Sequence, residues 1–449
     1  MRLRYIAPTI ALALLPLSAF AKNTPPAAPT PTFTNTPLIT NDGGSEPALA
    51  IGADSTMVVG GLSWQLFQTN VWKGTFGSTP TFQGAPDANI GAGVGGGDED
   101  WEIGSTGTLH GTTLMFFFNS QTHLKQLGVS AIACPNADTS NNFANCKLQI
   151  IDQTQADRQW VTSNGRQVWI SYHDSGHSSI IHVQRSDDDG LTWKKVGDPI
   201  VGQGQTTGDA TFNNIQGELE ADPTTGTLYD VYAAGVTGIL KAKTQSFSKV
   251  YVSRSLDGGE TWSASIAISG TDTTDFGKVF PALAVDPTNG DLYATASDGH
   301  TVFVSKSTDH GQSWSQQMAL NSGQALTGVL PAIAARAGTV DVSYYGTAAA
   351  SKDDPSAVWN VFLAQSRNAG GSFSQSQVTS SPNHVGAICT NGTACVAGTR
   401  NLLDLFEVAI DPNSGKAAIV YTSDTITADT VTPSSDGGHL PQIVLAQQD

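Results

Sequence analysis

Two short stretches of this chain could carry acid–base chemistry. Asp157 and Arg158 open one apolar run, and Tyr172, His173 and Asp174 close the next. Paired carboxyls are what glycoside hydrolysis needs: one protonated acid, and one ionised base or nucleophile. An arginine beside them would clamp a carboxylate on the substrate through paired N–H donors. Further along, Glu218 and Glu220 share one side of a strand, Tyr344 and Tyr345 are adjacent, and Arg400, Asp404 and Glu407 precede or enter another apolar run. Asp157, Arg158, His173, Asp174 and Glu218 are therefore the catalytic candidates. Tyr172, Tyr344, Tyr345, Arg400 and Asp404 are the substrate-binding candidates. The competing reading of each is structural, as an internal ion pair or a polar lining of a water-filled channel.

Other patterns carry less chemistry. Gly91-Ala92-Gly93-Val94-Gly95-Gly96 matches G-x-G-x-x-G, but no strand leads into it and no helix follows, so a dinucleotide is not expected. There is no H-E-x-x-H, G-x-S-x-G or P-loop. No metal site is expected, and the one cofactor to weigh is a calcium ion at Asp98-Glu99-Asp100, against the alternative of a solvated acidic loop.

The elements that must position these residues are strands. Seven similar starts recur, at Pro47-Ala48-Leu49-Ala50-Ile51, Trp101-Glu102-Ile103-Gly104, Gln159-Trp160-Val161-Thr162, Glu218-Leu219-Glu220-Ala221, Pro281-Ala282-Leu283-Ala284-Val285, Pro331-Ala332-Ile333-Ala334-Ala335 and Phe406-Glu407-Val408-Ala409-Ile410. Three of them run into near-identical turns, Asp222-Pro223-Thr224-Thr225-Gly226, Asp286-Pro287-Thr288-Asn289-Gly290 and Asp411-Pro412-Asn413-Ser414-Gly415. Seven starts at about 58 residues each predict a seven-bladed, all-β propeller of four-stranded antiparallel blades. A six-bladed ring is the alternative. The last segment, from Gln442, matches a third strand, and the chain then stops. A strand near residues 37–40 is expected to supply the missing fourth strand and close the ring.

A second repeat follows the third strand of successive blades. It reads S-x-D-x-G-x-[ST]-W at Ser186, Asp188, Gly190 and Trp193; at Ser255, Asp257, Gly259 and Trp262; and at Ser307, Asp309, Gly311 and Trp314. A fourth copy has Asn368 for the Asp and Phe373 for the Trp. The Asp can bond nearby backbone N–H groups and pin a turn, the Gly permits positive φ, and the Trp can wedge between sheets. An EF-hand reading fails because the terminal Glu spacing is absent. Strand polarity puts these turns on one face of the propeller. The starts of the inner strands, and with them the candidate site, fall on the opposite face.

The motif resembles the Asp box of the sialidase superfamily, also called BNR-repeat proteins. Ala156-Asp157-Arg158-Gln159-Trp160, the stretch Val168 to Asp174, and Cys389 to Phe406 are similar to bacterial members of sialidase-like type. The resemblance covers residue 46 to the end and implies a propeller that acts on glycans. Exo-sialidases carry an Arg-Ile-Pro motif, an arginine triad, a Tyr–Glu nucleophile pair and an Asp acid, usually on six blades. The Arg-Ile-Pro motif is absent here, and of nine arginines only Arg158, Arg336 and Arg400 fall on the candidate face. The family's catalytic set is therefore not carried over.

Residues 1–21 read as an export signal, with Arg2 and Arg4, an apolar centre and Ala19-Phe20-Ala21 before Lys22. Residues 22–37 read as a Pro/Thr-rich linker and 38–449 as the propeller. Losing Arg2 and Arg4 leaves 20 basic against 39 acidic residues, a net charge of −19. That excludes nucleic acid and anionic membrane as partners, and no later stretch is apolar enough to span a bilayer. The expected partner is a glycan or polysaccharide, with a protein partner as the alternative for a monomeric recognition propeller, and a polysaccharide lyase as a third reading. Cys134 with Cys146 and Cys389 with Cys395 are expected to form local disulfides in an oxidising, secreted setting, against a weaker zinc reading.

Overall fold

In a computed structural model the described residues are 30–64, 66–89, 94–118, 125–153, 156–174, 180–200, 214–235, 246–396, 398–426 and 440–449. The chain divides into Met1–Pro31 and Thr32–Asp449. Of the first unit only residues 30 and 31 are described, so the expected export signal lies outside the described residues. The second unit holds every strand of the ring.

Seven antiparallel sheets form the seven expected blades. Their inner strands are Ser45–Ile51, Asp100–Ile103, Ala156–Asn164, Asn214–Ala221, Ala282–Val285, Thr327–Arg336 and Glu407–Ile410. All seven predicted starts fall in or beside them. Each inner strand contacts that of the next blade, and the seventh contacts the first, so the ring is closed. The core is a set of layers between neighbouring blades, such as Tyr293, Val302, Ile333, Val342 and Phe362 between blades five and six.

Ring closure uses the N-terminus. Phe33–Leu38 pairs antiparallel with Gln442–Gln448, in register from Phe33 opposite Gln448 to Leu38 opposite Ile443. The strand ends before residues 39 and 40 because Gln442 takes over there, its Oε1 accepting from the Thr40 N–H at 3.0 Å. It therefore begins inside the segment expected as linker.

The repeated turns share one geometry. Ser255 Oγ accepts from Gly259 N–H at 2.8 Å and donates to Asp257 Oδ1 at 2.8 Å, while Asp257 Oδ1 accepts from Thr261 N–H at 2.9 Å. The Ser186 and Ser307 copies repeat these bonds. The worn copy keeps them too: Asn368 Oδ1 accepts from Ser366 Oγ at 2.8 Å and from Ser372 N–H at 3.0 Å. Gly259 has φ of 98°, a conformation that L side chains avoid. Trp193, Trp262, Trp314 and Phe373 each pack into the layer shared with the preceding blade. Both local disulfides form, Cys134 with Cys146 and Cys389 with Cys395.

Candidate functional site at the mouth of the ring

The site begins with a backbone irregularity. The pairing of inner to second strand slips between Ser45 and Ala48, between Asp157 and Gln159, and between Val329 and Ala332. Inside each slip sits one left-handed residue: Glu46 with φ of 51°, Arg158 with 58° and Leu330 with 53°. Asp98, with φ of 47°, holds the equivalent place two residues ahead of the Asp100 strand start in blade two. None is glycine, and each such residue costs about 1–3 kcal/mol unless its surroundings hold it. A bulge of this kind re-aims a side chain. Here Glu46, Asp98 and Arg158 line one cavity at the mouth of the ring.

That cavity has a volume of about 790 Å³. Asp157, Arg400 and Asp404 join these three left-handed residues on its wall, from blade three and from the loop before blade seven. The Arg400 guanidinium grips both carboxylate oxygens of Asp404, with Nε to Oδ1 at 3.2 Å. Arg158 is held differently. Its guanidinium carbon lies 4.7 Å over the Phe280 ring, and among the described residues it makes no ion pair. It is a cation kept in place by stacking, with its charge turned to the cavity.

The carboxyls influence one another. Burial pushes Asp98 well above the ordinary aspartate range; the nearby Glu46 and Asp157 push it further, and a hydrogen bond joins its side chain to Asp157. Its carboxyl is thus held toward the protonated form. Glu46 is raised to about 7, first by burial and then by Asp404, against the opposing pull of Arg400 and Arg158. The mouth therefore combines a carboxyl shifted toward its protonated form, a second carboxyl bonded to it, and two arginines.

Four of the ten sequence candidates meet here: Asp157, Arg158, Arg400 and Asp404. The other six do not line the cavity. His173 pairs with Asp157 across the strands but is only half-buried and does not line the cavity; burial first, and then the Arg158 charge, lower its imidazole to about 4 and keep it neutral. Asp174 faces His182 at 3.6 Å, in the layer outside the mouth. The three tyrosines are corrections to the expected substrate contacts, because each is packed between sheets. The Tyr172 hydroxyl donates to Asp152 at 2.6 Å, Tyr344 donates to Gln375 at 2.8 Å, and Tyr345 accepts from Thr422 N–H at 2.9 Å. Alternation along a strand places a side chain on a face, but two adjacent tyrosines at a strand end are large enough to be drawn into the inter-blade layers.

Glu218 is also placed elsewhere, deeper in the central channel beside Asp100, Glu102, Glu220 and Glu407. Its carboxylate accepts from the Leu283 N–H of the next blade at 2.7 Å. Asp100 does the same for Val161 at 2.7 Å, and Glu407 for Leu49. These carboxyls stitch inner strand to inner strand, and burial raises Glu218 and Glu102 to about 8. The calcium reading of Asp98, Glu99 and Asp100 loses its geometry, since the three diverge. Asp98 faces the mouth, Asp100 the channel, and Glu99 is wholly buried and lines neither. Among the described residues no group of three or more His, Cys, Asp or Glu is arranged to hold a metal.

Glu46 and Asp98 were not legible in the sequence as members of the site. A left-handed non-glycine residue leaves no mark in a sequence, so the irregularities that aim them could not be read.

No protein-family profile matches the sequence, and no curated protein matches it. Solved structures do. A polysaccharide lyase of the PL25 ulvan lyase type, bound to -[GlcA(1-4)Rha3S]-, aligns with a TM-score of 0.52 at 11% identity, over 91% of this chain and 95% of that one. A protein of unknown function from Dyadobacter fermentans aligns with a TM-score of 0.51 at 13% identity, over 93% of this chain and 100% of that one. A Hadza microbial sialidase reaches 0.43 at 13% identity, over 90% of this chain and 66% of that one. Identities this low speak to the fold alone, and the polysaccharide lyase and the Dyadobacter fermentans protein share it.

Proposed function

We propose that this chain is a secreted propeller that binds an acidic glycan at the mouth opposite the repeated turns and hydrolyses it there. The observation that carries the reading is the Asp98–Asp157 carboxyl pair beside the stacked Arg158. Asp98 supplies the proton to the glycosidic oxygen as the bond to the anomeric carbon breaks. Asp157 is hydrogen-bonded to Asp98, and so closer to it than the separated carboxyls of ordinary glycosidases; the two act as a shared-proton dyad, Asp157 taking a proton from the attacking water as Asp98 gives its own to the leaving oxygen. Arg158, with Arg400 behind it, takes the anionic group of the substrate and fixes the ring against the acid. Two disulfides and the signal-like start of the chain support an oxidising, exported setting.

A lyase would use the same arginines to neutralise a uronate, but its base would be a tyrosine or an accessible histidine. Among the described residues neither lines the cavity, and hydrolysis is the better fit. The test is turnover by the mature protein on a panel of sialosides, uronic-acid polymers and neutral glycans. Hydrolysis of an acidic member, lost in Asp157→Asn and weakened in Arg158→Ala, is expected. Turnover that survives both changes would refute the site, and unsaturated products would replace hydrolysis with elimination.

A further inference from the structure

The mouth has two chemically different kinds of lining. Besides the arginines and carboxyls it holds Trp64 and Phe67 of blade one and Phe116 of blade two, with Leu62 and Leu127. Phe67 is 55% exposed, although its ring is large and apolar, and it is held left-handed at φ of 50°. Its ring meets Phe116 edge to face, with centroids 6.4 Å apart. Free aromatic surface of this kind on a cavity wall marks a contact that a ligand completes.

Two further groups point the same way. Trp64 Nε1 is enclosed and has no hydrogen-bond partner among the described residues. Thr390, inside the Cys389–Cys395 loop, is 4% exposed, and its Oγ1 likewise has none. Buried polar groups are normally satisfied by protein or water, so two orphans on the wall of one cavity can be paired there by a ligand or by water. An apolar face flanked by an N–H donor and a hydroxyl suits a sugar ring, which presents C–H groups on its face and hydroxyls on its edge. It does not suit an alkyl chain, which would leave both orphans unpaired.

We infer that Trp64, Phe67 and Phe116 form a second subsite, which takes the sugar joined to the acidic one. The preferred ligand is then an acidic oligosaccharide rather than a free acidic monosaccharide. This rests on the proposed glycan reading of the mouth. A cavity of about 790 Å³ lies in the upper part of the usual small-molecule range, roughly 300–1,000 Å³, which leaves room for more than one ring.

Calorimetric titration with matched pairs tests it: sialic acid against sialyllactose, and glucuronic acid against a glucuronate-containing tetrasaccharide. In one of these pairs the wild-type protein should bind the longer ligand about tenfold or more tightly than its monosaccharide, the weight of one good aromatic contact. Phe67→Ala and Phe116→Ala should remove that margin and leave monosaccharide binding unchanged, whereas Arg158→Ala should weaken both ligands. Thermal melts check folding, and the exposure of Phe67 makes its truncation the safer variant. Equal binding of short and long ligands, or a margin that survives both aromatic changes, would overturn the subsite while leaving the arginine site standing. If neither pair binds at all, the glycan reading fails first and the subsite with it.

Discussion

Among single residues, the proposed function at the mouth turns on protons and one stacked cation. Glu46 is neutral below about 7 and ionises as pH rises through it. Its new charge would lie among Asp404, Arg400, Asp98 and Arg158, next to the acid pair and to the bound anion. Binding of an acidic glycan should therefore weaken above about pH 7, and Glu46→Gln should flatten that limb in a pH profile of the dissociation constant. Asp157→Asn should cost about 10²-fold or more in kcat, the usual weight of a positioned acid–base group. Its KM should change little. Asp157, Arg158, Arg400 and Asp404 were legible because charged residues at the starts of apolar runs stand out in a sequence. The pairing of Asp98 with Asp157 was not, because it depends on two left-handed residues in adjacent blades. Tyr172, Tyr344 and Tyr345 misled because exposure near a strand end is decided by what the neighbouring blade offers, and each found a hydrogen-bond partner there.

Among strands and turns, the repeated turns are structural, and their worn copy shows which part matters. Asn368 Oδ1 makes the same bonds as Oδ1 of the aspartates, and its Nδ2 donates to Ser372 Oγ where the aspartates accept from the hydroxyl at that position. Asp257→Asn should therefore leave the melting temperature nearly unchanged. Ser255→Ala should not, because it leaves the buried Gly259 N–H without its acceptor, a loss of about 1–3 kcal/mol readable by chemical denaturation. These turns were the most legible part of the chain, since their spacing repeats and each position has one physical task. The strand that closes the ring was legible only as a need. The open edge of Gln442–Gln448 demanded a partner, but Phe33–Leu38 sits next to a run of prolines and has no strong alternation, so only pairing sets its bounds. Removing residues 30–38 should expose that edge, lower the melting temperature and promote self-association, as seen by light scattering.

Across the whole molecule, the ring encloses carboxyls that are protonated when folded. Glu102 and Glu218 are raised to about 8, and Asp100 to about 7, each first by burial. Their folded pKa values lie above the ordinary carboxylate values, so the folded state binds more protons than the unfolded one between about pH 4.5 and 8. Stability should accordingly fall as pH rises through that window, and the protein should melt higher at pH 5 than at pH 8.5. The same architecture separates two faces, one pinned by the repeated turns and one holding the mouth, and glycan chemistry is assigned to the second. The decisive measurement is a crystal structure of the Asp157→Asn variant soaked with the best acidic oligosaccharide. A sugar ring should be bound in the mouth, with its anionic group on Arg158 and its glycosidic oxygen facing Asp98. A ligand ordered on the opposite face, with the mouth left empty, would contradict that assignment.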